Sequence, residues 1–109
     1  MDFQDYQTAC RKTAIYPNQG NNLIYPVLGL VGESGEVAEA VKKLIRDQKN
    51  ELTDEYRLRI AREMGDVLWY LSALSDELGI PLAEIADINI KKLQARQEQN
   101  KLKGDGSDR

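Results

Sequence analysis

One acidic helix pattern occurs twice in this chain, thirty positions apart, and it constrains the fold more than any other feature. The first copy is Glu33-Ser34-Gly35-Glu36 and the second is Glu63-Met64-Gly65-Asp66. The shift carries Leu30 to Ile60, Val37 to Val67, Val41 to Leu71 and Leu44 to Leu74, so the apolar frame repeats with the acids. At about 100° per residue, Leu30, Val37, Ala40, Val41 and Leu44 form one apolar arc. Glu33 falls inside that arc and Glu36 at its edge. Glu63 falls likewise among Ile60, Val67, Tyr70, Leu71 and Leu74, with Asp66 at the border.

A carboxylate left unpaired on an apolar face costs several kcal/mol or neutralises itself by a raised pKa. Four of them on facing stripes therefore call for a shared cation. If the first acidic helix ends near Asp47 and the second begins near Asp54, an antiparallel hairpin brings both acidic segments to one level. In that register Glu36 faces the turn that holds Glu63 and Asp66. Glu33, Glu36, Glu63 and Asp66 are thus candidate metal ligands, and one of them a candidate acceptor for a proton.

The rest of the chain supplies two further helices. Phe3, Tyr6, Cys10 and Thr13 recur at helical spacing, which predicts a first helix over about Asp2 to Ala14. Pro17, Asn18, Gly20, Asn21 and Asn22 make a loop. The second helix starts between Asn22 and Pro26, because proline is tolerated in a first turn. Gly29, Gly32 and Gly35 lie on the side of this helix away from the apolar arc. Each costs roughly 1 kcal/mol against alanine, which points to close approach of another helix. A phosphate-binding loop is excluded there, since no strand precedes these glycines and no Gly-Lys-Ser/Thr follows. Thr53 or Asp54 caps the third helix. Gly79, Ile80 and Pro81 close it and start a fourth, predicted from Pro81 to Gln97. On that helix Leu82, Ile85, Ala86, Ile90 and Leu93 form the apolar stripe, with Asn89 inside it and Lys92 beside it.

No β pattern occurs, so the fold class is all-α: an antiparallel bundle of about four helices. Residues 1–98 form one domain and residues 99–109 a polar tail that includes KGDGSDR. Helices this apolar on more than one side do not satisfy themselves in 109 residues, which predicts a homodimer or homotetramer. Trp69 lies off the main stripe, where it packs on a partner subunit or stacks on a base. Glu39 points outward, toward Lys42 and Lys43 on the helix surface.

Several function classes drop out. The chain has no histidine, which removes His-based zinc sites, Ser-His-Asp and Cys-His systems and the Glu-x-x-His di-iron bundle. A net charge of −3 argues against nucleic acid as a partner. No apolar run spans a membrane and MDFQDYQ is no signal peptide. The single cysteine, Cys10, forms no internal disulfide and fits a cytoplasmic setting.

Taken together, Glu33-x-x-Glu36, Glu63-x-x-Asp66 and the runs GLVGESGEVAEAVKK and EMGDVLWYL resemble the MazG-like branch of the all-α NTP pyrophosphatase superfamily, over about Tyr6 to Arg96. The resemblance implies Mg²⁺-dependent hydrolysis of a nucleoside triphosphate to monophosphate and pyrophosphate, serving nucleotide-pool house-cleaning. It carries Glu33, Glu36, Glu63 and Asp66 over as metal ligands, and Asn89 with Lys92 as substrate-binding residues. In some relatives the polar tail closes over the site. Magnesium suits this donor set, since it prefers carboxylate and phosphate oxygens. Lys92 would meet phosphate as a point charge and Asn89 would donate a hydrogen bond. Two alternatives stay open: a diphosphatase of the same fold acting on dUTP, dCTP or a phosphoribosyl nucleotide, and a non-catalytic metal-binding dimerisation module. A structural metal site has no use for Asn89 and Lys92.

Overall fold

A computed structural model describes residues 1–103, with the side chains of 101–103 excepted. Four helices follow in order: α1 Phe3–Arg11, α2 Ile24–Asp47, α3 Asp54–Leu78 and α4 Leu82–Lys103. No strand occurs among the described residues.

The helix ends follow from local chemistry. Asp2 caps α1 through a 2.7 Å bond from Asp5 N–H, and the helix ends at Arg11 with Lys12 as its C-cap, short of the Ala14 that the spacing suggests. Thr53 caps α3 by accepting from Tyr56 N–H at 3.2 Å, which satisfies one of the orphan donors of the first turn. At the other end Gly79 takes the left-handed conformation at φ 68, and Ile80 N–H reaches back to the Ser75 carbonyl at 3.2 Å. That closure is the one its glycine, isoleucine and proline predict. By contrast α4 runs past Gln97 to Lys103, so the first residues assigned to the tail are helical. Residues 104–109, most of KGDGSDR, lie outside the described residues.

The long antiparallel pair α2 and α3 is the body of the fold. Ala40, Leu44, Tyr56 and Ala73 are buried along it. The Tyr56 hydroxyl donates 2.7 Å to the Ala40 carbonyl, pinning the pair near its loop. A second polar knot ties α1 to the α3–α4 corner. Gln7, 3% exposed, donates to Ser75 Oγ and Asp76, each at 3.0 Å, and accepts from Leu82 N–H at 3.0 Å. Every polar atom of that amide is used, so burying it carries no desolvation penalty left unanswered. Arg11 reinforces the knot by pairing with Asp76 at 2.8 Å.

The close approach expected at the three glycines is real at one of them and has a different source. A Cβ on Gly29 would come within 2.1 Å of the Tyr70 ring, whereas Gly32 and Gly35 meet nothing within 4 Å. A side chain of α3, and not another helix backbone, occupies that space.

The chain is not closed into a bundle around its own core. Helix α4 touches α1 and α3 but not α2, and from Asp87 onward its described residues are exposed except Arg96 and Asn100. The Cα radius of gyration is 17.5 Å, against about 13 Å for a compact chain of this size. No described helix is long and apolar enough to cross a membrane.

Candidate metal centre

Helices α2 and α3 run antiparallel with their acidic turns facing each other. Glu33, Glu63 and Asp66 each offer a carboxylate oxygen, and these oxygens lie within 4.8 Å of one another. Glu33 and Glu63 are half-buried and Asp66 is exposed. Three like charges at this spacing repel, and among the described residues no lysine or arginine forms an ion pair with them. The strain is visible in Glu33, whose carboxyl is pushed above the usual carboxylate range. Burial contributes most, followed by the charges of Asp66, Glu63 and Glu36. Lys42 and Lys43, the first basic residues after Glu36, pair instead with Glu39 at 3.0 Å and 3.8 Å.

Glu36 is placed differently from its partners. It is exposed and lies outside the three-carboxylate group, so Glu33 rather than Glu36 meets the turn of Glu63 and Asp66. Its charge still reaches Glu33. Asn89 and Lys92 stand on the exposed part of α4, a helix with no contact to α2. Among the described residues Lys92 forms no ion pair with the carboxylates.

An open cleft of about 350 Å³ adjoins the acids, lined by Thr13, Glu33, Asp66, Trp69 and Tyr70. Trp69 is fixed in it by donating its indole N–H to Thr13 Oγ1 at 2.9 Å. Its ring meets Tyr70 edge-on at 5.0 Å, a favoured aromatic geometry. Burial, the neighbouring Tyr25 hydroxyl and then Glu33 and Asp66 raise the Tyr70 phenol above its ordinary value, so the ring stays neutral beside the acids. Tyr70 lies one turn after Asp66, on the same face, and that spacing was the available signal for it. Thr13, which the helical spacing places on the first helix, lies instead in the turn after α1 and reaches the cleft from there.

The donor set fits a hard divalent cation. All the ligand atoms are carboxylate oxygens, they come from two rigid helices, and the mutual repulsion of three acids is what such an ion relieves. Fold and site thus define an all-α protein with a cluster of three carboxylates, able to hold a divalent cation, beside an aromatic cleft. Residues 24–100 match the family model described as the MazG nucleotide pyrophosphohydrolase domain, and the chain belongs to that family. It is also 40% identical over 114 aligned positions to the Gene 37 protein of Mycobacterium phage L5, an alignment that covers 100% of each. No solved structure matches the chain.

Proposed function

We propose that this protein hydrolyses a nucleoside triphosphate to the monophosphate and pyrophosphate, with Mg²⁺ held by Glu33, Glu63 and Asp66 and by Glu36 from the adjoining turn. The observation that carries this reading is the convergence of three uncompensated carboxylates within 4.8 Å at the mouth of an aromatic-sided cleft, in a chain of the MazG family. When bound, the metal supplies neutralisation of phosphate charge and a water of lowered pKa. The side chains have separate tasks. The acids orient the cation and accept the proton of the attacking water, while Trp69 and Tyr70 offer flat surfaces to the base and sugar. House-cleaning of the nucleotide pool is the role that fits a small hydrolase of this kind.

A second copy of the chain completes the reading. The groove of about 320 Å³ along Val37, Met64, Val67, Leu68 and Leu71 is apolar, and on α4 Ile90 and Leu93 are 52% and 45% exposed. Solvent-facing apolar area of this extent favours a homo-oligomer. In it, Asn89 and Lys92 of one copy serve the phosphates held by the other.

The test is pyrophosphate release from a panel of NTPs and dNTPs with Mg²⁺. The reading requires release from at least one of them, and its loss in Glu63→Gln and Asp66→Asn. Turnover of dUTP or dCTP alone narrows the substrate to the diphosphatase alternative. No turnover across the panel, with metal still bound, would leave the non-catalytic dimerisation module.

A further inference from the structure

Glu77 lies on the penultimate residue of α3, outside the metal centre, and one loop saturates its carboxylate. The oxygen Oε2 accepts from the Tyr16 hydroxyl and, at 2.8 Å, from Gly20 N–H. The oxygen Oε1 accepts from Asn22 N–H at 2.7 Å. Gly20 sits at φ 93 and Asn18 at φ 53, a tight backbone path that turns the amide groups inward. Asn22 extends the anchor to α2 by accepting from Tyr25 N–H at 3.1 Å through its Oδ1. Three donors on one anion hold the Glu77 carboxyl below the usual range.

The anchored loop leads to the cleft by ring contacts. Tyr16 stacks on Tyr25 at 4.8 Å with planes 3° apart. Tyr25 leans on Tyr70 at 6.5 Å, and Tyr70 crosses Gly29 where no Cβ fits and then lines the cleft with Glu33 and Asp66. We infer that Glu77 is a positioning residue for substrate: through the Tyr16–Tyr25 stack it holds Tyr70 against α2 and sets the width of the cleft beside the metal centre. This rests on the cleft being the nucleotide site, and the experiment separates the two.

Glu77→Gln puts an amide NH₂ against a cluster of donors and leaves at least one of them unpaired. The chain has one tryptophan, and Trp69 touches Tyr70, so its emission reports on the wall without substrate. In folded Glu77→Gln, acrylamide quenching of Trp69 rises, Mn²⁺ affinity stays within about twofold of wild type, and KM for the nucleotide rises roughly fivefold with little change in kcat. Combining it with Tyr25→Ala gives no more than Tyr25→Ala alone, because both act through Tyr70. Should Glu77→Gln fail to fold, Tyr16→Phe removes one of the three donors and carries the same measurements. Unchanged quenching in the folded variant would overturn the proposal and leave Glu77 a loop staple. If wild type turns over no nucleotide, the function is wrong, while the quenching measurement still decides the positioning role.

Discussion

Replacing Glu33 by Gln should make the metal-free protein more stable and the magnesium-loaded protein less so. Its carboxylate oxygen lies within 4.8 Å of those of Glu63 and Asp66. At that distance each like-charge pair costs about 0.9 kcal/mol at water-like screening. Physiological salt reduces the two pairs together to about 1 kcal/mol. For a domain of this size that is a rise in Tm of roughly 4–8 °C. The assay is thermal unfolding of both proteins with EDTA and with excess Mg²⁺. Wild type gains Tm on adding metal, by the linkage of binding to folding, and Glu33→Gln gains less.

The pH dependence has a definite sign. The Glu33 carboxyl is raised in the folded state, so the folded protein binds the proton more tightly than the unfolded chain. Metal-free wild type is therefore stabilised as pH falls through that raised value and loses the stabilisation as pH rises again. Since other carboxylates such as Glu77 titrate in the opposite sense, the Tm difference between wild type and Glu33→Gln isolates the effect. It is largest near neutrality and shrinks as the pH falls through the raised Glu33 value toward the ordinary glutamate range. A metal-free Glu33→Gln that melts at or below wild type across this range would refute the mutual repulsion of the three acids.

Three other substitutions probe separate parts. Gly29→Ala drives a methyl into the Tyr70 ring and should cost about 1–3 kcal/mol, as overpacking does, while changing Trp69 emission; a silent variant would mean the ring is not seated there. Thr53→Ala removes the α3 cap and should cost about 1 kcal/mol in denaturant unfolding without altering metal affinity. Glu36→Gln should weaken Mn²⁺ binding in titration calorimetry less than Glu63→Gln does, because Glu36 stands outside the close group, yet it should lower turnover; equal losses of affinity would place it fully inside.

The parts of this molecule that sequence reasoning reached are those governed by local rules. Thr53, Gly79 and Pro81 mark helix ends because capping and left-handed backbone depend on one or two neighbours. Facing of the two acidic turns follows from helical period plus a short antiparallel connection. Tyr70 on Gly29 was out of reach, because a glycine spacing states that something comes close but not what. Glu77 anchors residues more than fifty positions away, and no pattern around it announces that. The fourth helix shows a different limit: an apolar stripe reads the same whether its cover comes from its own chain or from another, so the stripe alone does not say what Asn89 and Lys92 face.

The most direct measurement is titration calorimetry of Mn²⁺, standing in for Mg²⁺, into wild type, Glu63→Gln and Asp66→Asn. Carboxylates from both helices sharing one cation predict binding by wild type and a loss of at least about tenfold in each variant, since even outer-shell partners carry that much. Affinities that match wild type in both variants would contradict a metal centre between α2 and α3.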